Sequence, residues 1–372
     1  TAPIIFTAAG MLLVFAAPEP VEMETKNAIF LTIAEIALCL LLFVDAIRIN
    51  LHVLRGNESL PGRLLILAMP LIILLGALLA KLVIPQLTFW EAAVLAAVLA
   101  PTDAGLGEAV VKNPRVPERI RQALNVEAGL NDGLAVPFLL LFLTLAEAET
   151  EHAGRVLATF MVEQLVFGLL IGLAIGLVGG FLLAKAQQGG WTRPALEQPG
   201  LLVLPLLCLV VAEPLEASPF IAAFSAGLVL KRTFQRADEQ LTGFSDQEGH
   251  LLGNFVFFYF GLIIARGLEN IGPAAMVYAL LSLTLIRMLP VAISMIGTRL
   301  SRPSILFLGW FGPRGLASIV LGLVYLEHGV RLPGEALIMA ALGTTVLLSV
   351  LSHGVSAHPA IKNYARRLES LD

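Results

Sequence analysis

The sequence predicts an all-α polytopic membrane protein, and three observations predict it. Apolar residues make up 57% of the 372 and charged residues only 14%, with a mean hydropathy of +0.85. A soluble domain carries about 25% charged residues. The apolar residues fall into runs long enough to cross a bilayer, which takes roughly 20 helical residues at ~1.5 Å each. Finally, the loops between those runs alternate between basic and acidic, as the positive-inside rule requires.

Twelve apolar segments follow one another along the chain, at roughly 2–17, 27–47, 63–84, 88–111, 118–146, 156–186, 199–215, 218–231, 249–267, 271–297, 304–326 and 334–353. One set of loops holds Arg48, Arg55 and Arg63, then Lys112, Arg115, Arg119 and Arg121, then Lys185 and Arg193. Lys231, Arg232 and Arg236, then Arg299 and Arg302, then Lys362, Arg366 and Arg367 continue it. The alternate loops carry Glu19, Glu22 and Glu24, then Glu147, Glu149 and Glu151, then Glu213 and Glu216. Of the 24 Lys and Arg, 17 fall on one side, 5 on the other and 2 within the membrane. The bias places Thr1 and Asp372 both in the cytoplasm.

Composition narrows the function. A net charge of −4 spread over many loops argues against nucleic acid as a partner. Cys39 and Cys208 sit inside apolar runs and read as small core residues. The six histidines show no zinc-type ligand spacing. The chain turns apolar at once from Thr1 with no basic region before it, unlike a signal peptide.

Two segments are interrupted. The fourth reads Leu99-Ala100-Pro101-Thr102-Asp103-Ala104-Gly105, and the eleventh Trp310-Phe311-Gly312-Pro313-Arg314-Gly315. Proline removes a helical hydrogen bond, and glycine tolerates the unwound backbone that follows. Such backbone survives at membrane depth only inside protein or beside a wet cavity. Interrupted segments in corresponding halves point to a transporter built from two inverted repeats with crossed broken helices. Matching the halves leaves the first repeat one helix short at its N-terminus. Segment 6 becomes a linker, whose Gly168, Gly172, Gly176 and Gly180 form a ridge for close helix packing.

Ionisable groups within the membrane carry the functional signal. The densest cluster is Asn125-Val126-Glu127-Ala128-Gly129-Leu130-Asn131-Asp132-Gly133. Glu127 and Asn131 share a helix face, with Asp132 one residue round. A carboxylate here can be neutralised by a proton or by a cation, which is the logic of an exchanger. Burial disfavours its charged form and a bound cation restores it. The structural alternative for Asp132 is an acid paired with a fixed base. Glu127 is expected to pair with Arg314, a permanent charge on the second broken helix, holding the repeats in register. Thr102 and Asp103 are expected where the broken ends meet, Asp103 as helix-end stabiliser or as direct site residue. Asp45, near the cytoplasmic end of segment 2, is placed to line the way in. Glu35, Glu91, Glu108 and Glu163 read as helix contacts, and Arg287 lies deep enough to need a partner.

Three stretches in order, Pro101-Thr102-Asp103, Glu127 to Gly133 and Gly312-Pro313-Arg314-Gly315, resemble the signatures of NhaP-type sodium/proton antiporters. These belong to the cation/proton antiporter branch that includes the animal sodium/proton exchangers. The resemblance runs from Pro3 to about His353. It implies thirteen helices, the first missing here, in a dimerisation domain and a mobile core. On this chain dimerisation helices would occupy 1–60 and 199–267, the core 61–147 and 271–353, the linker helix 156–186 and a cytoplasmic tail 354–372. It implies a homodimer in the plasma membrane exchanging Na+, Li+ or K+ for H+, with no cofactor. It makes Asp132 the carboxylate that binds cation and proton and the only seat of the cation. Thr102 and Asp103 become the crossing motif, and Glu127 with Arg314 the core ion pair.

Ala128 departs from the family, which has a serine there, so a hydroxyl ligand is lost. Asn131 stands where the electrogenic branch has a second aspartate, which predicts electroneutral one-for-one exchange. A sodium-coupled symporter of an organic anion is the nearest competing reading; it needs a spare base, and Arg314 is expected to be used by Glu127. An intramembrane aspartyl protease built on Asp103 and Asp132 would leave the broken helices and Arg314 without purpose. A channel lacks a filter-like repeat. The sequence therefore points to a transporter and not an enzyme.

Overall fold

The computed structural model describes residues 2–16, 60–148, 166–191, 194–234, 253–268, 271–327 and 332–369, with scattered positions between 32 and 47. All regular structure among them is helical. In chain order the helices are α1 (Ala2–Ala16), α2 (Leu60–Val83), α3 (Phe89–Val98), α4 (Ala104–Val111), α5 (Glu118–Ala148), α6 (Gly168–Gln188) and α7 (Pro194–Ala212). There follow α8 (Pro219–Thr233), α9 (Gly253–Gly267), α10 (Pro273–Leu283), α11 (Leu285–Ser294), α12 (Arg302–Trp310), α13 (Leu316–Glu327) and α14 (Glu335–Glu369). Every expected segment is met by helix, the second, 27–47, only at scattered helical positions. Among the described residues, five spans are long and apolar enough to cross a bilayer by themselves: α2, α5, α6, the α10–α11 pair and α14. Side chains such as Ile66, Leu82 and Val355 are more than 70% exposed, as a lipid-facing surface demands.

Local sequence sets the boundaries. Thr88 caps α3 by accepting from Glu91 N at 3.3 Å, while Glu91 Oε2 accepts from Thr88 N at 2.7 Å, a reciprocal capping box. Ser218 and Ser301 cap α8 and α12 in one direction only, accepting from Ile221 N at 3.3 Å and Ser304 N at 3.4 Å, each with a proline in the first turn. The apolar run 271–297 divides at Thr284, whose backbone leaves the helical region (φ −114°, ψ −91°) and whose Oγ1 donates to Leu280 O at 2.6 Å. The segment expected to end near 353 continues as helix to Glu369.

The chain divides into two compact units. One comprises residues 1–26, 50–135 and 254–372, and the other 27–49 and 136–253. In the second unit the expected glycine ridge of α6 is buried against α8. A Cβ at Gly172 would lie 2.7 Å from Ser225 Cβ, and one at Gly176 2.6 Å from Val229 Cγ2. Neither distance is tolerated by real side chains, so the glycines are what let the two helices touch. Cys39 and Cys208 are buried and free there. In the first unit both expected interruptions are present, at 99–103 between α3 and α4 and at 311–315 between α12 and α13.

Candidate functional site at the crossed interruptions

The two interruptions meet directly: Asp103 N donates to Pro313 O at 2.8 Å. Proline explains each break. Pro101 and Pro313 bring no N–H to a helix and push the residue before them out of the helical region. The groups so freed need partners, because a buried polar group without one costs about 1–3 kcal/mol.

Asp103 supplies partners for two helices at once. Its Oδ1 accepts from Leu106 N at 3.0 Å, capping α4, and its Oδ2 accepts from Leu316 N at 2.6 Å, capping α13. Both helix N-termini thus direct their positive dipole ends at one carboxylate. The approach is close enough to exclude a side chain at Gly315, where a Cβ would lie 2.8 Å from Asp103 Cγ.

Arg314 is the complement. Fully buried, it donates from Nη1 to Ala100 O and to Pro101 O, the latter at 2.9 Å, answering the carbonyls beyond the end of α3. Its backbone N donates to Ser349 Oγ of α14 at 2.7 Å.

The expected ion pair between Glu127 and Arg314 is corrected by the structure. Glu127 is held by Arg287, whose Nη1 donates to Oε1 at 2.5 Å and Nη2 to Oε2 at 2.8 Å. The break at Thr284 puts Arg287 in the first turn of α11, where its planar fork reaches a carboxylate on α5 side-on. Arg314 is occupied by the carbonyls of the first interruption instead. The motif glycine Gly312 serves this pair: a Cβ there would lie 2.6 Å from Arg287 Cζ.

Thr102 and Asn131 come together, Asn131 Nδ2 donating to Thr102 Oγ1 at 2.7 Å. Asn131 Oδ1 is buried and makes no hydrogen bond among the described residues. Asp132 follows on the same helix and is buried. Beside Thr102 lies a small, partly open cleft, its wall formed by Thr102, Asp103, Asn125, Ala128, Phe311 and Pro313. Ala128 presents a methyl group to it. Asp45 lies outside the described residues.

Among the described residues, five charged side chains occupy the crossing, each less than a tenth exposed. Asp103, Glu127 and Asp132 contribute three negative charges when ionised, and Arg287 and Arg314 two positive ones. The set is one charge short of neutral. A single proton or a single monovalent cation completes it, and an apolar surrounding favours completion strongly. Sequence reasoning missed the roles of Arg287, Ser349 and His353. The last two stand four residues apart in an apolar run, so they share a face, and that pairing was the available signal.

Crossed helix interruptions around buried charge, in an all-helical chain with membrane-length apolar spans, define a secondary-transporter architecture. A family model described as sodium/hydrogen exchanger, transmembrane, matches residues 2–363. The chain belongs to that family. A Na(+)/H(+) antiporter of Schizosaccharomyces pombe is 27% identical over 307 residues, covering 74% of this chain and 65% of the relative. Na(+)/H(+) antiporter 2 of Zygosaccharomyces rouxii is 25% identical over 316 residues, covering 81% and 39%. The chain thus spans less than two thirds of the length of these relatives. Among solved structures, the sodium proton antiporter MjNhaP1 of Methanocaldococcus jannaschii, at pH 8, superposes with a TM-score of 0.80 at 20% identity. The superposition covers 98% of this chain and 92% of that one.

Proposed function

We propose that the protein exchanges Na+ (or Li+ or K+) for H+ across a membrane by alternating access, one for one, with cation and proton competing for Asp132. The observation that carries this reading is the buried charge set, one positive charge short of neutrality among the described residues. Whatever crosses the apolar interior with that set must bring one positive charge, so each passage carries one proton or one cation. Asn131 Oδ1, buried and without a hydrogen-bond partner among the described residues, supplies a neutral oxygen beside Asp132, as a hard monovalent cation prefers. Thr102 orients the amide so that this oxygen is available, and Asp103 stands at the same crossing. Membership of the exchanger family and the antiporter activity named for the relatives support the same reading.

We further read residues 61–147 and 271–353 as the mobile core, 1–60 and 199–267 as helices of a homodimer interface, and 156–186 as the linker. The assembly sits in the plasma membrane with Thr1 and Asp372 in the cytoplasm. A sodium-coupled symporter of an organic anion requires a base open to its substrate. Arg314 donates from Nη1 to the carbonyls of Ala100 and Pro101 and is fully buried, so it is not open to a substrate.

The test is cation-driven proton movement in proteoliposomes carrying a pH-sensitive dye. Wild type is expected to restore the dye signal when Na+, Li+ or K+ is added, and Asp132→Asn to abolish it. Competition also predicts that the apparent cation KM rises about tenfold per pH unit on the acid side at unchanged maximal rate. A folded, inserted protein with no response to any of the three cations overturns the proposal.

A further inference from the structure

The break at 311–315 frees backbone groups on both its sides, and α14 answers them with two side chains that the exchange chemistry does not use. Arg314 N donates to Ser349 Oγ at 2.7 Å. Ser349 Oγ lies 3.2 Å from His353 Nδ1, and His353 Nε2 lies 2.9 Å from Trp310 O, the last carbonyl of α12. Both side chains are buried, Ser349 completely. Trp310 O also receives Gly312 N at 2.9 Å.

The donors and acceptors fix the direction of the chain. With its proton on Nε2, a neutral imidazole donates to Trp310 O and accepts the Ser349 hydroxyl at Nδ1, while that hydroxyl oxygen receives Arg314 N–H. Every member is then satisfied. Either neutral tautomer leaves one bare nitrogen near a carbonyl, Nδ1 3.0 Å from Ser349 O or Nε2 2.9 Å from Trp310 O, but only the first gives that bare nitrogen a donor, the Ser349 hydroxyl. Ser352 Oγ, 3.5 Å from Nδ1, adds only a weak contact. Phe311 and Trp310 flank the ring, with centroids 6.4 and 5.0 Å away, and fix its plane.

We propose that Ser349 and His353 are positioning residues for exchange, a clasp across the second interruption that holds Trp310 to Arg314. Through the Arg314 backbone the clasp sets where the guanidinium meets the carbonyls of Ala100 and Pro101, and so the shape of the crossing beside Asp132. The inference rests on the exchange reading for its functional half. Its structural half, that the Arg314 amide is tied to Ser349, stands by itself.

The experiment therefore has two arms on the full chain. Hydrogen–deuterium exchange of peptides covering 310–318 reads the clasp directly. Ser349→Ala and His353→Ala are expected to speed exchange there about tenfold, the factor for losing one buried hydrogen bond. In proteoliposomes the same variants are expected to raise the cation KM about tenfold with maximal rate within about threefold. His353→Gln, whose amide retains a donor for Trp310 O and an acceptor for the Ser349 hydroxyl, is expected to restore both readouts. Ser349→Ala removes one oxygen only and keeps the test decisive should His353→Ala fail to fold. Wild-type protection at 310–318 in Ser349→Ala overturns the proposal, as does His353→Gln behaving like His353→Ala. A wild type that shows the protection but transports no cation sinks the exchange reading and with it the positioning role, leaving the clasp as a structural feature.

Discussion

Arg287 holds Glu127 by two parallel hydrogen bonds, of 2.5 and 2.8 Å, with both side chains 3% exposed or less. The pair joins α11 of the second half to α5 of the first. Water is excluded from it, so each charge depends on the other for its solvation.

Removing either partner is therefore far costlier than removing both. Arg287→Ala and Glu127→Ala are each expected to destabilise the protein by about 3–5 kcal/mol. The double variant Glu127→Leu, Arg287→Met is expected to recover most of that loss. Thermal unfolding in detergent, followed by size-exclusion fluorescence, measures the coupling; additive losses would show that the two side chains act independently.

The motif glycines separate into those a methyl group would offend and those it would not. Gly312→Ala pushes a Cβ into the Arg287 guanidinium and Gly315→Ala into the Asp103 carboxylate. Each is expected to cost about 1–3 kcal/mol through strain. Gly107 and Gly129 lie in helices where an added methyl would meet nothing within 4 Å. Alanine there is expected to be neutral or to stabilise by up to ~1 kcal/mol through helix propensity. Melting curves of the four variants side by side test the contrast.

Asp103 caps two helices, so its loss should weigh about double that of an ordinary cap. Asp103→Ala is expected to lower stability by about 2–4 kcal/mol, against about 1 kcal/mol for Ser301→Ala, which uncaps α12 alone. Equal shifts in melting temperature for the two would remove Asp103 from its double role.

Asn131 determines the charge count. Asn131→Asp makes the buried set two charges short of neutral, so the proton-loaded passage is expected to carry two protons, while the cation-loaded passage carries a single cation shared by the two carboxylates. Exchange should then become electrogenic, where the one-for-one exchange proposed for wild type is electroneutral. Transport currents in voltage-clamped liposomes, present in the variant and absent in wild type, are the expected outcome. A wild-type current would contradict the one-for-one proposal.

How much of this was legible in the sequence differs by level. The helices were, because apolar runs and loop charge are one-dimensional properties and the bilayer imposes their length. The interruptions were too, since Pro101, Gly312 and Pro313 announce them. Partner choice was not. Two guanidiniums lie within the membrane, and spacing alone cannot tell which reaches Glu127. The deciding feature is the break at Thr284, which carries neither glycine nor proline at its own position. Arg314 reads as needing a carboxylate because the carbonyls of Ala100 and Pro101 become acceptors only once Pro101 has opened the helix. His353 is one of six scattered histidines until Ser349, one turn away, is placed beside it.

The glycine ridge of α6 also has a meaning for biogenesis. Its partner surface on α8 lies only as far on as Thr233, so both faces are synthesised before any residue beyond 253. Helix pairs that rely on backbone contact need no distant segment to complete them. This one can lock in the bilayer as an early assembly step, whereas Glu127 must wait for Arg287. A nascent chain arrested between the two would carry a finished helix pair and an unanswered buried acid, a state that membrane quality control can recognise.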